Sequence, residues 1–238
     1  MFNEATLHKH PSLIPAFTGI PAEEFWDMVE KMEAKLPDHE IERHTRDDRK
    51  RAVGAGRKFD QALTQRTVAV LSYLRLHVPQ LVIALMFGLT QCDISRDLRR
   101  LLPLINSVLP CPEVWEITKN NQESKELVVL PSKKLANGRA LVDATEQGVS
   151  RPGKSNETRK LYYSGKKKAF TIKTQMLTDD DHHILAISAL SAVRIRVEHC
   201  IGWVKNWAIV ATRFRCSHLI YTSVMQTVCG LVNVQTKR

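Results

Sequence analysis

Hydrophobic positions in the first half of the chain recur at the three- and four-residue spacing of helices. Phe25, Met28, Val29 and Met32 form one such stripe, and the segment VAVLSYLRL at residues 68–76 forms another apolar stretch. The first of these helices is expected to pack against its neighbours and to carry no chemistry. The pattern therefore predicts a helical N-terminal half.

The middle of the chain contains the start and stop signals of two short helices joined by a tight turn. Pro79 suits the start of the first helix, and Gly88 supplies the left-handed conformation that ends it. Thr90 and Asp93 have the spacing of a capping box, in which each side chain satisfies a backbone N–H at the start of the next helix. These residues together predict a helix-turn-helix.

The second helix of this pair has one polar face. Ile94, Leu98 and Leu101 form its inward stripe, so cationic and polar side chains are left towards solvent. This is the layout of a helix that enters the major groove of DNA. The alternative is an ordinary helical hairpin whose arginines solvate one face. The candidate DNA-binding residues on this helix are Gln91, Ser95, Arg96, Arg99 and Arg100.

The charge of the chain favours a polyanionic partner. Its 238 residues carry a net charge of +10, with a pI near 9.5, and 43% of them are hydrophobic, which argues against disorder throughout. Residues 1–40 are acidic, whereas residues 41–58 and 151–173 are basic. Either basic block alone could be a solvated loop or strand edge. In the first block, Arg57 and Lys58 follow a glycine-rich stretch and suggest a flexible arm that follows a phosphate backbone.

Cysteines and apolar runs exclude several classes of protein. The five cysteines form no CxxC pair and are odd in number, which fits neither a disulfide framework nor a zinc knuckle. The longest apolar run, Leu81 to Leu89, is far shorter than the roughly 20 residues of a membrane-spanning helix. The N-terminus lacks the pattern of a secretory signal. We therefore expect a cytoplasmic protein without membrane contact.

The spacing of hydrophobic residues changes in the second half of the chain. Short apolar stretches at residues 126–130 and 139–142, and an alternating segment at 170–177, predict strands. After Asp181, helical spacing is expected to return and to run through to Val204. The sequence thus predicts strands followed by a long C-terminal helix.

Five segments of the chain stand out: RAVGAGRKF, YLRLHVPQLVIALMFGLTQCDISRDLRRLLPLI, LVDATEQGVSRP, KLYYSGKKKAFTIKTQ and LSAVRIRVEHCIGWVKNWAIVATRFR. Together they resemble one known family, the DDE-type transposases of bacterial insertion sequences, in the insertion-sequence-five-like group. The resemblance covers nearly the whole chain, in the family's order.

The resemblance implies an α+β protein with four parts. These are N-terminal helices and a basic arm in residues 1–58, an all-α helix-turn-helix DNA-binding domain in 59–118, a linker with a first strand in 119–138, and a truncated ribonuclease-H-like α/β domain in 139–238. The implied partner is DNA, both element ends and target. Whether the chain forms a homo-oligomer stays open.

The implied chemistry is metal-dependent cutting and joining of DNA. In the family three carboxylates hold two divalent metals, Mg²⁺ or Mn²⁺, which activate the attacking oxygen and stabilise the leaving one. By resemblance Asp143 is the first metal-binding catalytic acid and Glu198 the third. Lys166, Lys167 and Lys168 would lie beside the site and grip the phosphate backbone.

The second catalytic acid of the family has no counterpart. The KTQ segment, ending at Gln175, runs almost directly into residues that resemble the part before the last helix. Asp179, Asp180 and Asp181 are therefore expected to be surface acids or a cluster at a helix N-terminus, and joint metal binding by His182 and His183 is not expected. We expect an internally deleted, catalytically impaired transposase. The alternative is a non-catalytic DNA-binding regulator or a relic.

Overall fold

The computed structural model combines helices and a sheet, which confirms the mixed α+β class. It describes residues 4–45, 59–115, 141–153, 159, 162–165, 167–179, 181–188 and 198–236, which form two compact units, Met1–Pro110 (unit 1) and Cys111–Arg238 (unit 2). Several predictions lie outside the described residues: Arg57, Lys58, Lys166, Asp180 and the strand at 126–130.

Unit 1 is helical wherever the structure describes regular elements in it. The stripe predicted from Phe25, Met28, Val29 and Met32 is buried, because these residues lie on one face of the longest helix. The helices are α1 (Glu4–Lys9), α2 (Leu13–Thr18), α3 (Ala22–His44), α4 (Leu63–Leu76), α5 (Gln80–Phe87) and α6 (Gln91–Val108).

The turn between α5 and α6 forms as its residues predict. Gly88 adopts φ 67° and ψ 34°, a left-handed conformation that ends α5. The Thr90 hydroxyl accepts a hydrogen bond from the Asp93 N–H at 3.2 Å, and the Asp93 carboxylate accepts one from the Thr90 N–H at 3.0 Å. The predicted capping box is therefore confirmed, and it fixes the first residue of α6.

Unit 2 is built on a mixed sheet of five strands among its described residues. The strands are β1 (Glu113–Trp115), β2 (Leu141–Gly148), β3 (Tyr163–Ser164), β4 (Ala169–Thr178) and β5 (Ile184–Ser188). Their order is β1-β5-β4-β2, with β3 also pairing with β4, and only the β1–β5 pair is parallel. The predicted strand at 170–177 is confirmed as part of β4.

Three helices follow the sheet in the described part of unit 2. They are α7 (Glu198–Lys205), α8 (Ala208–Ala211) and α9 (Tyr221–Thr236), with a 3-10 turn at His218–Ile220. The Asn233 side chain of α9 joins the start of β5, since its oxygen accepts from the Ile184 N–H at 2.9 Å and its amide donates to the Ile184 carbonyl at 3.1 Å. A specific pair of hydrogen bonds therefore joins α9 to β5.

The prediction that helix resumes after Asp181 is wrong for the residues that follow it directly. Ile184–Ser188 form β5, which pairs antiparallel with β4, and residues 189–197, which carry the rest of the prediction up to α7, lie outside the described residues. The apparent junction at Gln175 lies inside the continuous strand β4. The physical reason is that a short apolar run such as ILAIS suits a buried strand as well as a helix, and strand pairing decides between them.

No helix among the described residues has both the length and the apolar character needed to span a membrane.

Candidate nucleic-acid interface

The cationic face of α6 is directed to solvent, as its apolar stripe predicts. Ile94, Leu98 and Leu101 are buried, while Gln91, Arg96 and Arg99 are exposed. The Arg96 guanidinium lies 3.6 Å from the Asp93 carboxylate, with 63% of its side chain accessible, so this pair is a weak surface contact. Its guanidinium therefore stays available to a ligand.

Two of the predicted contacts on α6 are less open. Ser95 and Arg100 are half-buried. Burial is the main reason that the pKa of the Arg100 guanidinium lies below its ordinary value, and the nearby Arg43 lowers it further. The Arg100 guanidinium lies 5.3 Å from the centre of the Phe59 ring. The face open to a partner is accordingly Gln91, Arg96 and Arg99, with Ser95 and Arg100 at its margin.

A buried ion pair joins α6 to α4, and sequence reasoning missed it. The Arg66 Nε donates to Asp97 Oδ2 at 2.9 Å, and a second bond from Nη2 to Oδ1 makes the pair bidentate. Only 6% of the Arg66 side chain and 4% of the Asp97 side chain are accessible. The Phe59 ring stacks on the Arg66 guanidinium, 3.6 Å from ring centre to carbon.

The residue next to Arg66 makes a second buried polar contact. The Gln65 side-chain amide donates to the carbonyl of Phe87 at 2.7 Å. Phe87 is the last residue of α5, so the bond satisfies one of the carbonyl groups that a helix end leaves unpaired. Helix α4 thus holds α5 and α6 through two adjacent side chains.

The exposed face of α5 is apolar, in contrast to that of α6. Leu81, Val82 and Leu85 are exposed, whereas Ile83, Ala84 and Phe87 face the core. A helix that contacts phosphates needs donors or cations at its surface. The chemistry suited to a polyanion is therefore on α6.

Unit 2 has a cleft of about 600 Å³ with basic walls. It lies where the end of β2 and the start of β4 meet α7 and α8, and its walls include Lys167, Lys205 and Arg213. Its described acidic group is Glu146, which accepts a hydrogen bond from the Thr171 hydroxyl at 2.6 Å. The walls therefore carry more positive than negative charge.

The three cations of the cleft differ in their contacts with acidic and carbonyl groups of the protein. The Lys167 ammonium donates to the Glu146 carbonyl at 3.1 Å and lies 3.7 Å from its carboxylate. Among the described residues, neither Lys205 nor Arg213 forms a salt bridge, and both are exposed. Lys168, predicted to grip phosphate, is exposed next to the cleft. Sequence reasoning found Lys167 and Lys168 and missed the other two cations, which lie in helix-associated segments far along the chain.

The backbone places the two predicted catalytic acids on separate elements. Asp143 lies in β2, opposite Met176 of β4, and Glu198 lies in α7. The side chains of both acids lie outside the part of the chain that the structure describes. Their mutual distance therefore stays a prediction of the resemblance.

One group of described side chains could hold a metal ion. Asp179, Asp181 and His183 each offer a ligand atom, and these atoms lie within 4.8 Å of one another. They lie in the turn between β4 and β5, so the expectation of a helix N-terminus is wrong, whereas the exposure of Asp181 agrees with a surface acid. Asp179 also accepts from the His183 N–H at 2.8 Å. Two carboxylates and an imidazole do not fit the three-carboxylate cage that the resemblance implies.

Comparison with known proteins gives no relative for this chain. No protein-family model matches it, and no curated protein or solved structure matches it significantly.

Proposed function

We propose that this protein binds DNA through the exposed face of α6. The observation that carries the proposal is the placement of Gln91, Arg96 and Arg99 on one open face of a helix whose start is fixed by a capping box. A helix of this kind after a tight turn suits the major groove, where arginine binds guanine or phosphate and glutamine binds adenine. The pair α5–α6 then acts as a helix-turn-helix.

We further propose that the protein derives from a DDE-type transposase with a ribonuclease-H-like second unit. The resemblance of its sequence segments supports this origin, and Asp143 and Glu198 are the acids that it assigns to the metal site. Since the second acid has no counterpart, about a third of the carboxylate charge that would hold two metals is absent. DNA binding without efficient cleavage is the activity that we expect.

The basic cleft of unit 2 supports a second contact with DNA. Lys205 and Arg213 are exposed without a salt bridge among the described residues, so a phosphate group would not have to displace an internal partner from them. Contacts of this kind add affinity and salt dependence but no sequence preference. We assign the cleft this supporting role.

The binding test uses fluorescence anisotropy of a 30-base-pair duplex with the full chain, in EDTA, over a series of salt concentrations. Replacing Arg96 and Arg99 together by alanine is expected to lower the slope of log K against log salt by about 2. A matched control replaces two exposed lysines of unit 1, Lys9→Ala and Lys31→Ala, and is expected to leave the slope unchanged. Equal slopes for both double variants would overturn the proposal.

The cleavage test uses plasmid nicking with the full chain in Mg²⁺ or Mn²⁺. Because the acid set is incomplete, we expect nicking at the background level of the Asp143→Ala and Glu198→Ala variants. Metal-dependent nicking well above background, abolished by either substitution, would contradict the proposed impairment. It would not contradict the proposal that the protein binds DNA.

A further inference from the structure

Two adjacent side chains of α4 contact both arms of the α5–α6 turn. Successive residues of a helix are about 100° apart around its axis, so neighbours reach different partners. Gln65 reaches the Phe87 carbonyl at the end of α5, and Arg66 reaches Asp97 in the second turn of α6. Both residues of α4 are buried, at 6% and 5% exposed.

From this arrangement we infer that Gln65, Arg66 and Asp97 form a clamp that sets the angle between α5 and α6 and thereby the aim of the DNA-binding face. The inference rests on the proposed function, which it deepens by naming the positioning residues. None of the three contacts DNA in this scheme. They act through Gln91, Arg96 and Arg99.

The clamp includes a carboxylate, Asp97, at a position of α6 where an apolar side chain is expected. Asp97 lies at the spacing of the inward stripe, three residues after Ile94 and four before Leu101, where an apolar residue would bury its surface without a directional bond. A bidentate guanidinium–carboxylate pair has fixed planar geometry, whereas apolar contacts tolerate sliding and rotation. The ion pair therefore selects one orientation of α6 where apolar packing would permit several.

The partners of the pair are also held in place. The Phe59 ring covers the Arg66 guanidinium at 3.6 Å. On the other side of the turn, the Leu89 N–H donates to the Ala84 carbonyl at 2.8 Å, which closes the chain reversal after α5. The turn and the clamp together leave little freedom between the two helices.

The test compares three variants of the full chain. Arg66→Met with Asp97→Leu replaces the buried pair by apolar side chains of similar size, a change that commonly preserves folding. Gln65→Met removes only the bond to Phe87 and serves if the double variant fails to fold. Ser72→Ala is the control, because Ser72 is also buried on α4 and its hydroxyl has no hydrogen-bond partner among the described residues.

Two readouts separate a positioning role from a structural one. The first is hydrogen exchange of the peptide spanning residues 84–94, measured without DNA. The second is the ratio of Kd values for a scrambled duplex and for the duplex that the wild-type chain recovers from a random library. We expect both clamp variants to fold, to exchange faster in this peptide and to lose about tenfold in the ratio, while Kd for the scrambled duplex changes less than about twofold.

Each outcome decides one claim. If both clamp variants fold with the exchange and the ratio of the Ser72→Ala control, the clamp inference is wrong. If the wild-type chain itself does not distinguish the two duplexes, the proposed function fails, and the exchange of residues 84–94 still decides whether the clamp sets the turn.

Discussion

The α5–α6 turn of unit 1 and the β4–β5 turn of unit 2 share one kind of hydrogen bond but carry side chains of opposite charge. In each, an aspartate accepts a backbone N–H: Asp93 from Thr90 at 3.0 Å, and Asp179 from His183 at 2.8 Å. The first turn leads into a helix with exposed arginines, whereas the second brings two carboxylates and an imidazole together. Of these two surfaces only the first suits a polyanion, so the electrostatic contrast supports the proposal that DNA binds α6.

Charge substitution at the two turns should have the largest effect. Reversing Arg96 and Arg99 to glutamate places like charge against phosphate, and we expect DNA affinity to fall by about 100-fold near 100 mM salt. Neutralising the other turn by Asp179→Asn with Asp181→Asn should leave affinity the same or slightly higher. Anisotropy with one duplex measures both. Comparable losses from the two pairs of substitutions would remove the contrast between the turns.

The strand that follows the β4–β5 turn depends on a distant helix, and its loss should be the next largest effect. Asn233→Leu would leave the buried N–H and carbonyl of Ile184 unpaired, which we expect to cost about 2–4 kcal/mol of unfolding free energy. Hydrogen exchange should then rise over residues 184–188 and stay unchanged in α6. A uniform rise in both units would show that the two turns are not independently stabilised.

The capping box of α6 should contribute less, and its contribution should depend on pH. Thr90→Ala is expected to lower the unfolding free energy by about 1 kcal/mol at pH 7. Hydrogen bonds from the Thr90 hydroxyl and N–H lower the pKa of Asp93, so the stabilisation is complete above the ordinary aspartate pKa of about 3.9 and is lost as the pH falls through the lowered value.

Urea unfolding of the wild type and Thr90→Ala between pH 7 and pH 3 measures this difference. The gap between their midpoints should narrow at the acidic end. A gap that is constant across the range would mean that the Asp93 carboxylate does not participate.

The α5–α6 turn could be predicted from sequence because several residues specify it independently. Gly88, Thr90 and Asp93 each favour the same boundary, and the apolar stripe of α6 has a single phase. The mixed α+β class likewise follows from the change of hydrophobic period. In these places local physics alone determines the structure.

The β4–β5 turn could not be predicted in the same way. His182 closes this turn with φ 67°, a left-handed conformation that sequence reasoning expects mainly at glycine. The strand that follows, β5, is stabilised by its pairing with β4. The clamp and the cleft were unpredictable for the same reason: Arg66 bonds to Asp97, and Glu146 and Arg213 line one cleft, only once the chain is folded. The placement of Asp97 in the apolar stripe was the one available indication.

Cys92 offers a native probe of the proposed interface. It is exposed on α6, next to Gln91, whereas burial raises the pKa of the Cys111 thiol to about 12 and also raises those of Cys200 and Cys229. The buried thiols should therefore react slowly with an alkylating reagent.

The most direct test is the alkylation rate of Cys92 in the full chain, followed by mass spectrometry with and without saturating duplex DNA in EDTA. If α6 lies against DNA, the duplex should slow Cys92 modification by about tenfold relative to the rate without DNA. An unchanged Cys92 rate at a DNA concentration that anisotropy shows to be saturating would contradict the claim that α6 is the DNA-binding face.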